Sequence, residues 1–213
     1  LHPFSVAEMA HAENSVEPFK ELALGPARRG EELDLLERFG GFPEPLFSQD
    51  ARTLRRWHNE RNERLFREDI QDVEMIRDLG SMKLLSDMLP TKVGALLSVN
   101  NMREDLEVSH RAVSRWLDIL EAFYYQFRIR PYARTPFRAL KKEPKLYLWD
   151  WSEVAEGPAR FENLIASHLL KLVHWLHDHE GYKAGLYFLR DSNQKEVDFL
   201  VTVDEKPWFA VEV

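Results

Sequence analysis

The sequence predicts an α-rich α/β fold. Apolar residues recur at helical spacing from Glu31 to about Ala122, strand-like runs appear from Lys145 onward, and Gly/Pro clusters separate the segments. With 213 residues, 44% of them hydrophobic and 12% aromatic, the chain can bury a substantial core.

Composition excludes several classes. No apolar run approaches the roughly 20 residues of a membrane span, and no basic-then-apolar signal opens the chain. There is no cysteine, hence no disulfide framework and no thiolate metal site, which fits a cytoplasmic protein. The chain opens at Leu1 and ends inside a strand-like run, which reads as a fragment of a longer protein.

Residues 1–24 read as a loop entering a helix, with Ser5 as N-cap and Glu8 in capping-box position, stopped by Gly25-Pro26. Glu31 to Phe39 forms a short helix whose Leu33, Leu36 and Phe39 share a face, and the run Gly40 to Pro45 breaks it. From about Asp50 to Leu79 a long helix is expected, with Leu54, Trp57, Leu65, Ile70, Val73 and Ile76 as its apolar stripe and Gly80 as its end. Lys83 to Met88 is another short helix. Val93, Leu96 and Leu97 mark one more.

Met102 to Leu106, the turn Glu107-Val108-Ser109 and a helix capped by Ser109 and running to about Ala122 have the helix-turn-helix layout. Val113, Trp116, Leu117 and Leu120 are the packing face of the last helix, which leaves His110, Arg111, Ser114 and Arg115 outward, chemically suited to phosphates and base edges. An extended Tyr124 to Pro131 and the basic stretch with Arg134, Arg138, Lys141 and Lys142 supply a wing. The net charge of −7 argues against a protein that coats nucleic acid, yet residues 103–145 carry +4 between acidic ends of −6 each. DNA is therefore one candidate partner. Docking to protein is the alternative, since Glu104, Asp105 and Glu107 lie close by.

Beyond Lys145, the residues to Trp149 read as a strand, Arg160 to His177 as an amphipathic helix, and Leu186 to Arg190 as a strand. Lys195 to Val201 and Trp208 to Val213 follow as a hairpin. Asp198 and Glu212 are acids inside apolar runs, and Glu162 lies in the first turn or so of the helix. Three converging carboxylates suit Mg²⁺ or Mn²⁺. A first-turn glutamate also simply complements the helix dipole. His168, His174, His177 and His179 are better read the same way at the helix carboxyl end than as a metal site. No phosphate loop, dinucleotide fingerprint or nucleophile elbow occurs in the sequence.

The order of Leu1-His2-Pro3-Phe4-Ser5, Gly40-Gly41-Phe42-Pro43-Glu44-Pro45, Arg67-Glu68-Asp69-Ile70, Val108-Ser109, Pro144-Lys145-Leu146-Tyr147-Leu148-Trp149-Asp150, Phe161-Glu162-Asn163 and Glu196-Val197-Asp198-Phe199 resembles the carboxyl half of a prokaryotic AAA-type ATPase family. In that family an ATPase module is followed by a winged helix and by a domain of unknown function similar to PD-(D/E)XK restriction-endonuclease folds. The resemblance implies a helical ATPase remnant at 1–50, a helical linker and winged helix-turn-helix at 51–145, and a nuclease-like α/β domain at 146–213, truncated at its C-terminus. ATP would then be bound by an upstream module acting in cis.

Carried over by position, Glu162 matches the helix acid, Asp198 the hairpin acid, and Glu212 the first member of the family's Glu-x-Lys, whose Lys would be residue 214. Val197 departs from the pattern, since a proline often stands there. The resemblance implies that these three acids are both catalytic residues and ligands of Mg²⁺ or Mn²⁺ in a phosphodiesterase. The alternative is a non-catalytic DNA-binding, protein-binding or homo-oligomerising module, because a fold does not certify chemistry.

Overall fold

A computed structural model describes residues 2–11, 16–20, 22, 30–70, 78–133, 142–191 and 195–213. It is a mixed α/β structure, as the sequence predicts, with a five-stranded sheet among the described residues.

Helix α1 (Val6–Met9) carries the expected capping box: Glu8 accepts from the Ser5 backbone at 2.8 Å, and the Glu8 backbone donates to Ser5 Oγ at 3.4 Å. It ends after one turn. The stop expected at Gly25-Pro26 lies outside the described residues. Helix α2 (Glu31–Phe39) has the expected bounds, buries Leu36 and Phe39, and ends at Gly40 with φ +77. Its terminus is held by tertiary contact too, since a Cβ on Gly40 would sit 2.8 Å from Asp150 Oδ1.

Helix α3 (Pro43–Ser48) forms where the sequence showed only a break. Pro43 opens it, at the position where a fixed φ is pre-organised and no N–H is needed. Helix α4 (Ala51–Arg64) is capped by Asp50, which accepts from the Thr53 backbone at 2.7 Å, and passes into a π-helical turn, Leu65–Asp69, that buries Leu65 and Phe66. Val73 and Ile76 of the expected stripe lie outside the described residues.

Gly80 does not end a helix but sits in the first turn of α5 (Leu79–Met88). Asp78 starts that helix by accepting from the Ser81 backbone at 2.9 Å. The helix expected from Val93 to Leu97 is absent as well. Gly94 at φ +75 breaks the path, and Val93 and Leu96 instead bridge to Leu146 and Lys145. The two helices expected on either side of the Glu107–Ser109 turn are α6 (Val99–Asp105), which starts three residues earlier than expected, and α7 (His110–Ala122). Ser109 caps the latter by accepting from the Ala112 backbone at 3.1 Å.

Strands β1 (Gln126–Pro131), β2 (Lys145–Leu148), β3 (Ala184–Arg190), β4 (Glu196–Val203) and β5 (Lys206–Val211) form a sheet in the order β2-β1-β3-β4-β5, antiparallel except for the β1/β3 pair. Asp204 and Glu205, both at positive φ, join β4 to β5 in a two-residue turn that matches the sheet twist. Helix α8 (Pro158–Asp178) packs on this sheet. Its Asn163 accepts from the Leu148 backbone N–H and donates to the Leu148 carbonyl, each at 2.8 Å.

A single core cluster runs from Leu65 through Trp116, Tyr125 and Tyr147 to Phe199. The boundary expected at 145/146 falls inside β2, and this cluster joins both sides of it. A smaller cluster of Leu36, Leu46, Trp151 and Leu164 fastens α2 and α3 to α8. Among the described residues no helix is long and apolar enough to cross a membrane.

Candidate functional site

Alternation along two strands and the start of one helix brings the site together. Lys145 opens β2, and Tyr147, two residues on, shares its face. On β4 the same spacing puts Glu196 and Asp198 on one face. Glu162 is the fifth residue of α8, which Asn163 pins to β2.

The Lys145 ammonium lies 2.6 Å from Glu196 Oε1, 3.1 Å from Asp198 Oδ1 and 3.4 Å from Glu162 Oε1, and its side chain is only 4% exposed. Burial works against its charge, but the bonds to Glu196 and Asp198 and the charge of Glu162 outweigh this, so its pKa lies above the ordinary lysine value. The Tyr147 hydroxyl donates to Glu162 Oε1 at 2.7 Å. Burial and the Glu162 charge push that phenol upward. The second Asp198 oxygen accepts from the Val213 backbone at 3.0 Å, and Arg190 lies 3.6 Å from Glu196. A Cβ on Gly94 would stand 2.8 Å from Glu162 Oε2, so the absence of a side chain there lets the turn close over the glutamate.

Two of the three expected acids, Glu162 and Asp198, thus meet at one point. Glu212 is exposed, one residue past β5. Among the described residues no group of three or more His, Cys, Asp or Glu side chains is arranged to hold a metal ion. Sequence reasoning missed Lys145, Tyr147, Glu196 and Gly94. The signal was there: a lysine heading an apolar run, and an acid two residues before Asp198 in the same strand.

Of the expected DNA-contacting residues, His110, Arg111 and Arg115 are exposed on α7, and Ser114, half-buried, has its hydroxyl 3.4 Å from His110 Nδ1. Lys142 is exposed just before β2. Arg134, Arg138 and Lys141 lie outside the described residues. Two of the four histidines hold the amino-terminal segment: His168, at the middle of α8, accepts at Nε2 from the Val6 backbone at 3.2 Å, and His174 Nδ1 lies 2.8 Å from His2 Nε2. His2 and His174 border a cavity of about 610 Å³ with Trp149 and Leu186. Burial holds both imidazoles below their ordinary range.

Residues 31–155 match the family model described as Domain of unknown function (DUF8612). The chain belongs to the DUF8612 family. That segment opens with α2 and closes just after the turn Trp151–Glu153. Residues 159–213 match a second model, Domain of unknown function (DUF4143), covering nearly all of α8 and the strands β3 to β5. No curated protein and no solved structure matches the chain. Lys145 therefore belongs to the DUF8612 segment, and the three carboxylates round it belong to the DUF4143 segment.

Proposed function

We propose that the chain is the DNA-associating arm of an AAA-type ATPase, that α7 makes the contact, and that the nuclease-like part is a non-catalytic scaffold. The observation that carries this reading is the division of α7 into two faces. Val113, Trp116, Leu117, Ile119 and Leu120 are buried, while His110, Arg111 and Arg115 are exposed toward the start of the helix. A helix fixed by a core on one side, offering arginine on the other and entered through a short turn, has the form that docks in a major groove.

The order of α5, the Val93–Leu96 bridges, α6, α7, β1 and β2, with the bridges pairing onto β2, supports a winged helix. The +4 charge of residues 103–145 favours a polyanion. The DUF4143 match, a domain found in AAA-ATPase-associated contexts, supports the placement beside an ATPase. ATP would be the ligand of that other module.

A second reading, Mg²⁺- or Mn²⁺-dependent phosphodiester cleavage, is favoured by the convergence of Glu162 and Asp198. Their oxygens are of the hard type such ions take. The arrangement does not fit a divalent ion, however, because the Lys145 ammonium stands where the carboxylates meet, Tyr147 donates to the same Glu162 oxygen that faces the ammonium, and the Val213 backbone holds the second oxygen of Asp198.

The test is to incubate the protein with labelled single- and double-stranded DNA in Mg²⁺ and in Mn²⁺, reading binding and cleavage on the same samples, with Asp198→Asn as control. Bound, intact DNA is the expected result. Cleavage abolished by Asp198→Asn would put the second reading in its place, and failure to bind DNA at low salt would overturn the first.

A further inference from the structure

We propose that Lys145 is the fixed cation of the acid cluster, a charge lent by the DUF8612 segment that closes the carboxylates of the DUF4143 segment into a unit independent of divalent metal. An ammonium has three N–H donors, and three carboxylates surround this one, at 2.6, 3.1 and 3.4 Å. A nearly fully buried ammonium persists only when paired in this way.

The lysine has little freedom to leave. Its backbone is paired with Ile129 of β1 on one side and bridged to Leu96 on the other, and the Phe188 ring lies 5.8 Å from Nζ. A divalent ion at the same point would press a second cation against the first. Of the oxygens facing away from Lys145, that of Glu196 lies 3.6 Å from Arg190 and that of Asp198 accepts from the Val213 backbone. The cluster thereby joins β2, α8, β4 and the carboxyl-terminal residues through one charge.

The inference is separate from DNA contact by α7, so loss of DNA binding would leave it standing. The probe is Mn²⁺, titrated calorimetrically into the wild-type chain and into Lys145→Met, with thermal unfolding in Mg²⁺ and in EDTA. The wild type is expected to unfold at the same temperature in both and to show no saturable Mn²⁺ binding at the cluster. Lys145→Met is expected to unfold at lower temperature, to be raised again by Mg²⁺, and to gain saturable Mn²⁺ binding, since the carboxylates freed of the ammonium are the charged oxygen ligands such ions take. Saturable Mn²⁺ binding by the wild type that Asp198→Asn removes would overturn the proposal, as would a folded Lys145→Met that gains no Mn²⁺ binding. Should Lys145→Met fail to fold, the wild-type titration decides alone.

Discussion

Asn163 and Leu148 form a closed pair: the side-chain amide of one makes both backbone hydrogen bonds of the other, each at 2.8 Å, as a neighbouring strand would. Both residues are buried, and the pair positions α8 so that Glu162, the preceding residue, reaches Lys145 and Tyr147.

Truncating that side chain leaves a buried N–H and a buried carbonyl without partners. Asn163→Ala is expected to lower stability by about 2–4 kcal/mol, since each orphaned group costs roughly 1–3. Urea unfolding measures it. A loss below about 0.5 kcal/mol would show that β2 does not depend on α8 for its edge.

Gly94 combines a left-handed φ of +75 with a glutamate oxygen 2.8 Å from where a Cβ would stand. Gly94→Ala should cost about 1–2 kcal/mol for the backbone alone, with a further steric share. In a Glu162→Ala background the steric share should vanish, so a double-mutant cycle is expected to show coupling above about 0.5 kcal/mol. Simple additivity would mean that the turn does not press on Glu162.

Glu153 is buried beside Asp150, and burial followed by that neighbouring charge pushes its pKa up to about 7 despite Arg61 at 3.0 Å. Its folded value lies above its ordinary one of 4.5, so the protein loses stability as pH rises from about 4.5 through 7. His58 and His168 are held below the imidazole range by burial and act in the opposite sense, weakening the fold as pH falls below their ordinary 6.5. The comparison is therefore with Glu153→Gln, which keeps an acceptor for the Tyr125 hydroxyl. This variant should gain on the wild type as pH rises across that window, by on the order of 1 kcal/mol or more. A constant difference from pH 4.5 to 8 would contradict the assignment.

What could be read in advance was governed by local chemistry. The Ser5/Glu8 box, the Glu31–Phe39 helix and the Ser109 cap each depend on residues within one turn of one another. The misreadings lie where distant contacts decide. Val93, Leu96 and Leu97 read as a helix by spacing, but Gly94 among them takes a positive φ and closes over Glu162, and Gly80 reads as a stop although the Asp78 cap upstream starts a helix that runs through it. For the site, acids embedded in apolar runs pointed to Asp198 and Glu212, and Glu162 was added from its place near the start of a helix; of the two strand acids only Asp198 reaches the cluster, while Glu212 is exposed. Lys145 was passed over because its partners are 17, 51 and 53 residues away in the chain.

The most direct measurement is the salt dependence of duplex DNA binding by the wild type and by Arg111→Ala, followed by fluorescence anisotropy. Arg111 is exposed at the second position of α7, and its loss is expected to weaken binding and to reduce the slope of log K against log salt by about 0.9, one phosphate contact. The Asn163→Ala variant, if folded, should keep the wild-type slope. An Arg111→Ala protein that binds DNA with unchanged affinity and slope would contradict the claim that α7 is the contacting helix.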